Sequence, residues 1–298
     1  MGKKNLYSLA ALAGVVLILP PIIGNPYYIG VLVFVGIYSL ITIGLSLLIG
    51  YAGQISLGHA AFFGLGAYTS GILSTRFGLS PWLGVVAAVF LTCGVAFIIG
   101  FPVLKLKGHY LAMATLAFGE IIYIVFNQWA EYTGGPSGFG GIPNFSLGSI
   151  SLESDTGYYY FVWGIVLLII FLSLNLIHSR VGRALRAINE GELAAACMGV
   201  DISRYKLKIF VLSAFFAGLA GSLYAHFVTF ISPGTFSVMF SIVLLTMVAI
   251  GGIANIWGAI MGAALLTILP EYLRVFRDYD ILIYGSVLLF IMIFLPDG

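Results

Sequence analysis

The chain has 298 residues, of which 61% are apolar and only 24 are charged, 13 basic and 11 acidic. Soluble domains carry about 25% charged residues; at 8% and a mean hydropathy of +1.10, this chain is neither disordered, nor a soluble nucleic-acid binder, nor an ordinary soluble enzyme. The net charge of +2 says little about partners.

No Lys, Arg, Asp or Glu lies in 5–75 or 209–270. A membrane-crossing helix needs about 20 apolar residues, so those two runs alone supply about six. Runs such as FVWGIVLLIIFLSLNLI do not alternate, which excludes a β-barrel. The expected fold is an all-α, polytopic transmembrane helix bundle of about ten spans (eight to ten), forming a single domain over 1–298.

In chain order, the basic start and the apolar stretch after it lack a clean cleavage site and read as a retained first span at 6–23. Further spans are expected at 27–49, 55–75, 82–104, 109–128, 158–178, 209–231, 236–252, 254–270 and 281–296. Gly251-Gly252 divides the eighth from the ninth without any charge, so one long helix or a re-entrant pair also fits. With ten spans, Lys3, Lys4, Lys105, Lys107, Arg180, Arg183, Arg186, Arg204, Lys206 and Lys208 all fall on one side, which the positive-inside rule makes the cytoplasm. The N-terminus is then cytoplasmic. The outer loop 129–157 carries Glu131, Glu153 and Asp155 and no Lys or Arg; 271–280 is mixed in sign.

Small residues recur four apart in three rows: Ala52, Ser56, Ala60 and Gly64; Ala214, Gly218 and Ser222, beside Ala217, Gly221 and Ala225; Ala254, Gly258 and Gly262. Such rows let helix backbones approach closely, and Ser56, Gly58, Gly64, Gly218, Gly221 and Gly258 are the packing candidates. Glu120 and Asn127, seven apart, share a face of the fifth span. An ionisable group there faces protein or a water-filled cavity. Glu120 reads as a proton carrier, a substrate contact or a buried hydrogen-bonding group, the last being plainest. His59 and His226 read as satisfied packing residues. Cys93 and Cys197 read as small buried side chains rather than a disulfide. No metal-ligand cluster, Ser/His/Asp set or Walker phosphate loop is present in the sequence.

The outer stretch YTGGPSGFGGIPNF is too rich in Gly and Pro for regular helix. It is either an exposed turn or irregular backbone at the mouth of a pathway. Gly134, Gly135, Pro136, Ser137 and Gly138 join Glu120 and Asn127 as pathway candidates. In the polar segment 179–208, Asn189 is placed to cap a short helix, with Glu192 three residues on as in a capping box. Gly199 suits the position after its end. Leu193 and Cys197 share a face of that helix, with Ala196 beside it. Asp201 or Ser203 then caps the seventh span. The segment reads either as a basic loop at lipid headgroups or as a helix for docking into a partner groove.

Residues Ala187 to Gly199 resemble the cytoplasmic coupling motif of ABC importer permeases, the Glu-Ala-Ala-x3-Gly type. Most of the chain is similar to LivM-type permeases of branched-chain amino-acid ABC importers. The resemblance is carried by GYAGQISLGHAAFFGLGAY (50–68), KGHYLAMATLAFGEII (107–122), TGGPSGFGGIP (133–143), SRYKLKIFVLSAFFAGLAGSLYAH (203–226) and VAIGGIANIWGAIMGA (248–263). The closing FLPDG looks like the start of a longer family tail. The resemblance implies a prokaryotic inner (plasma) membrane protein that is not itself an enzyme and binds no cofactor. A second, LivH-like permease would complete the pathway, a substrate-binding protein would deliver leucine, isoleucine or valine, and two ABC ATPases would bind ATP and Mg. Asn189, Glu190, Gly191, Glu192, Leu193, Ala194, Ala195, Ala196 and Gly199 would then carry the ATPase coupling. A urea or short-amide permease of the same type and a proton-coupled transporter using Glu120 are the alternatives. A channel or purely structural subunit is a third.

Overall fold

The computed structural model describes residues 3–147, 150, 151, 154–273 and 285. Its long helices are α1 (Lys3–Ile23), α2 (Pro26–Ser46), α3 (His59–Arg76), α4 (Pro81–Val103), α5 (His109–Gln128), α7 (Asp155–His178), α10 (Ile202–Val228), α11 (Val238–Gly251) and α12 (Ile256–Leu273). The short helices are α6 (Ala130–Thr133), α8 (Arg180–Glu190) and α9 (Glu192–Cys197). Seven helices among the described residues are long and apolar enough to cross a membrane. Helix α3 falls outside that set because Gly, Ser, Thr and His dilute its apolar content. Helix α11 has 14 residues, about 21 Å at 1.5 Å per residue, short of a hydrocarbon core of about 30 Å. It and α12 pack against each other as two helices, which excludes one long helix over 236–270. The expected span 281–296 and the FLPDG end lie outside the described residues, apart from residue 285.

Local chemistry sets several boundaries. Asn25 accepts the Tyr27 N–H ahead of α2, and Pro26 occupies its first position. Ser154 caps α7 by accepting from the Gly157 N–H. Helix α2 runs into a π-helical turn, Leu47–Tyr51. The backbone then leaves the helix at Gly53, at φ +63°. This overturns the expected row Ala52, Ser56, Ala60, Gly64, because residues 53–58 are irregular and α3 starts only at His59. Ser56 instead hydrogen-bonds the His59 ring, and Gly58 lies against the Thr115 carbonyl of α5. Gly64 faces Phe126 and Phe236.

Helix α2 is the central post, packing on α7, α10, α11 and α12. Helices α3 and α10 form the tightest pair. His59 Nε2 and Ser213 Oγ are 2.7 Å apart, and Ser70 Oγ and His226 Nε2 are also 2.7 Å apart. Residue numbers rise together along both contacts, so the helices run parallel. A Cβ on Gly221 would collide with the Phe63 carbonyl oxygen, and one on Gly66 with that of Gly218. This is the backbone approach expected of small-residue faces, in which dispersion and polar bridges replace the hydrophobic driving force that lipid does not supply. Both histidines are buried, as expected of satisfied packing residues.

In the α11–α12 hairpin, Gly251 and Gly258 meet backbone to backbone. Its turn, 252–255, holds Ala254 at φ +68° and sits on Gly50 of the π-helical turn. Ala254 is therefore a turn residue and outside the helical row expected for it. At the opposite end of the α3–α10 pair, β1 (Phe139–Gly140) pairs antiparallel with β4 (Phe230–Ile231). A second two-residue ladder joins β2 (Ser146–Leu147) to β3 (Ile150–Ser151).

Candidate functional site

The polar segment after α7 forms two helices around a corner. Ser179 caps α8 through the Val181 and Gly182 N–H groups. Helix α8 continues to Glu190, so Asn189 lies inside it and caps nothing. The capping box expected at Asn189 and Glu192 is absent. Gly191, extended at φ −178°, makes the corner, and α9 spans Glu192–Cys197, so it starts later than a helix capped by Asn189 would. Gly199 at φ +80° ends α9 as expected: its N–H bonds the Ala196 carbonyl while the Val200 N–H bonds that of Ala195, the Schellman pattern. Asp201 caps α10 by accepting from the Arg204 N–H.

Asn189 holds the corner by a long-range contact. Its amide donates to the Gly50 carbonyl at 3.1 Å, at the π-helical turn. Arg186 of α8 lies over the Tyr51 ring, 5.7 Å from its centroid. Helix α8 is thereby fastened to the end of α2. The π-helical pattern leaves carbonyls without their usual helical donors, and Asn189 supplies one.

Glu192 makes the second attachment. One carboxylate oxygen accepts from Lys206 Nζ of α10 at 2.5 Å, the other pairs with Lys107 Nζ ahead of α5 at 2.8 Å. Burial pushes the Glu192 carboxyl up, but the hydrogen bonds and charges of Lys107 and Lys206 outweigh it and hold it below the ordinary value. Lys206 is buried while Glu192 and Lys107 reach water. One carboxylate thus ties α9 to α10 and to the α4–α5 loop.

The outward side of α9 is apolar and bare. Leu193 is 82% exposed and Met198 84%, while Ala195 is buried against the chain. Cys197 is exposed, contrary to its expected burial; Cys93 is half-buried, and both are free thiols. Helix α9 therefore has an inner side fixed by Ala195 and the Glu192 ion pairs, and an outer side where Leu193 stands in the open, with Met198 exposed just past the helix end.

Glu120 is exposed on α5, which overturns its expected place as a buried hydrogen-bonding group. Met113, Ala117, Ile121 and Ile124 are exposed around it, at spacings that put all five on one stripe of the helix. Asn127 is half-buried, and its amide donates to the Tyr123 carbonyl. The Gly-rich segment is ordered: Gly134 ends α6 in the left-handed region, Gly135–Ser137 form a 3-10 turn, and Gly138 packs on Phe230 and the Ile231 carbonyl. It caps the end of α5 and meets the end of α10. Thr133 ties it down, its hydroxyl donating to the Phe126 carbonyl at 2.6 Å. His226 Nδ1 hydrogen-bonds the Pro143 carbonyl at 2.6 Å.

Gln54 is a residue the sequence reading passed over. It is buried beyond the π-helical turn, and neither amide atom has a hydrogen-bond partner among the described residues. Only its position inside the GYAGQISLGHAAFFG segment signals it.

A family model described as the permease component of branched-chain amino acid transport systems matches residues 27–295. The high-affinity branched-chain amino acid transport system permease protein LivM of Salmonella typhimurium is 35% identical, over 88% of this chain and 67% of that protein. The probable LivM protein of Methanocaldococcus jannaschii is 25% identical over 90% of this chain and 91% of its own length. The permease protein LivH of Escherichia coli K12 is 24% identical over 88% and 90%. No solved structure matches.

Proposed function

The chain belongs to the family of branched-chain amino acid permease components, and from that premise we propose that it is one half of an ATP-driven import pathway for leucine, isoleucine and valine. The partner is a second permease of the LivH kind. Two ATPases, which bind ATP and Mg, dock on the end of the bundle that carries α8 and α9, and a substrate-binding protein docks on the end that carries 129–145. The ATPase end is cytoplasmic, since Lys105, Lys107 and the basic residues of 180–208 gather there, and the membrane is the inner membrane.

The single observation that carries the coupling reading is the two-sided build of α9. Its outer side offers Leu193 to a partner, with Met198 exposed just past its end. Its inner side is pinned to α10 and to the loop that leads into α5 through Glu192. A displacement of α9 by closing ATPases then moves α10 and α5 with it, because salt-bridged, capped elements shift as units rather than bend. Asn189 carries the same displacement into α2 through Gly50. Glu190, Gly191 and Ala194 to Ala196 build the corner and the helix between these anchors.

On α5, a carboxylate facing hydrocarbon is costly, so the Glu120 stripe faces the second permease or the pathway between the two halves. The Gly134–Gly138 segment then forms the outer rim of that pathway, with Asn127 beneath it.

Co-purification from native cells in mild detergent tests the assembly. A second permease and two P-loop ATPases are expected; recovery of the chain alone or as a homo-oligomer overturns the proposal. Leu193→Asp and Gly191→Pro are expected to leave the chain inserted but to abolish ATPase stimulation by loaded binding protein. Unchanged stimulation in both would remove the role of α9.

A further inference from the structure

The end of α4 and the start of α10 enclose a groove that no part of the transport reading uses. Two adjoining clefts of about 220 and 360 Å³ share Arg204 and Leu207. The floor is apolar: Phe97, Phe101, Leu207 and Val211. The rim is cationic. Lys105 stands at one side, Arg204 and Lys208 at the other.

The charges at the rim do not cancel. Arg204 pairs with Asp201 at 2.8 Å. Among the described residues neither Lys105 nor Lys208 has a carboxylate partner. Both lie over rings instead, Lys105 at 4.9 Å from the Phe101 centroid and Lys208 at 5.6 Å from that of Tyr205. Three cations less one carboxylate leave two positive charges above an apolar slot. Long basic side chains draped over apolar surface with their heads at the rim mark a membrane boundary.

The surroundings identify the occupant. Every exposed residue of α4 is apolar or glycine, from Leu83 through Phe90 and Ile98 to Pro102. That face suits acyl chains, in contrast to the α5 face with Glu120. A ligand that lies against an apolar helix face and ends at unpaired cations is an amphiphile with an anionic head.

We propose that this groove holds an anionic phospholipid, its phosphate at Lys105, Arg204 and Lys208 and one acyl chain along Phe97, Leu207 and Val211. The proposal rests on the membrane setting of the chain and not on its substrate. Because Lys206, which anchors Glu192, lies on the same turn of α10, a bound lipid steadies the helix that α9 moves.

The test is native mass spectrometry of the purified complex released from micelles containing equal parts of phosphatidylglycerol and phosphatidylcholine. Retained phosphatidylglycerol is expected to exceed phosphatidylcholine about tenfold. The Lys105→Gln/Arg204→Gln/Lys208→Gln variant is expected to bring the ratio near unity. Arg180→Gln/Arg183→Gln, which removes charge outside the groove, is expected to retain the wild-type ratio. Val211→Trp fills the floor and spares all three cations; it is expected to lower phosphatidylglycerol retention as well. Equal retention of the two lipids by the wild type overturns the site. So does an unchanged ratio in the triple or Val211→Trp variant, or a matching loss in the arginine control. None of these readouts depends on transport or on which ATPases co-purify, so failure here is separable from failure of the importer reading.

Discussion

The His59 ring on α3 touches two hydroxyls at once, Ser56 Oγ at 3.1 Å on its own chain segment and Ser213 Oγ at 2.7 Å on α10. All three groups are buried, so each side chain is the other's replacement for water. Removing one partner strands the other at a cost of about 1–3 kcal/mol, whereas removing both is far cheaper. His59→Phe and Ser213→Ala are each expected to lower the apparent Tm in detergent. The double variant is expected to lose less than the sum, by about 1 kcal/mol. Strictly additive losses would show that the bond contributes nothing.

Gly221 is a second, steric lock on the same helix pair. Gly221→Leu forces α3 and α10 apart at the Phe63 carbonyl and is expected to cost about 3 kcal/mol or more, seen as reduced yield and lower thermal stability. Gly14 in α1 has open space around it, so Gly14→Leu serves as the matched control and is expected to be silent. Equal damage by both would point to a general effect of bulk.

Glu192→Gln leaves Lys206 buried without its counter-ion. A stranded buried charge costs roughly 3 kcal/mol, here lessened by the partial exposure of the carboxylate. The expected phenotype is an inserted chain that still binds its ATPases but couples poorly, with transport per ATP down about tenfold. Exchanging the charges, as Glu192→Lys with Lys206→Glu, is expected to recover part of the coupling. Full coupling in Glu192→Gln would show that the ion pairs are ornamental to the mechanism.

The pH dependence of that anchor has a definite sign. The Glu192 carboxyl titrates below its ordinary value in the folded chain. Its contribution is therefore complete above the unfolded carboxyl value of about 4.3 and is lost as pH falls through the folded value. Attachment of α9, followed by hydrogen exchange over 192–198, is expected to be constant from neutral to mildly acid pH and to loosen only below the ordinary carboxylate range. Loosening that begins near pH 6 would contradict it.

Glu120→Gln keeps the shape of α5 and removes its charge. Transport is expected to fall about tenfold with the second permease still co-purifying. Loss of the second permease instead would assign Glu120 to the subunit contact.

Much of the bundle can be read from local pattern. Helix α5 occupies 109–128, as expected, because Gly108 and the Gly-rich stretch after Trp129 bound an apolar run whose one charged side chain is Glu120. Asp201, whose carboxylate caps α10, and Gly199, whose lack of a side chain permits its positive φ, behave as expected, since capping is settled within a few residues. What escapes the sequence depends on distant partners. Asn189 follows a capping pattern, but its actual partner is Gly50, 139 residues away, and nothing near Asn189 announces that contact. The start of α3 is displaced to His59 because Gly53 breaks the helix and Ser56 turns back onto the His59 ring. Glu120 has a recognisable spacing to Asn127, yet which way α5 faces is set by its packing on α3 through Phe118 and Phe126, not by its own residues. The groove at Lys105 and Arg204 joins residues some hundred positions apart and has no linear signature.

The composition of α3 bears on how the chain is made. Too polar to rank with the seven strongly apolar helices, α3 finds its main parallel partner only when α10 emerges, after residues 77–201 have been synthesised. At ordinary rates that interval is roughly 6 to 25 seconds. Until then His59 and Ser70 lack their α10 partners, and α4 is the long neighbour available to shield them. A ribosome-bound chain halted before α10 would thus carry a third helix held mainly by α4.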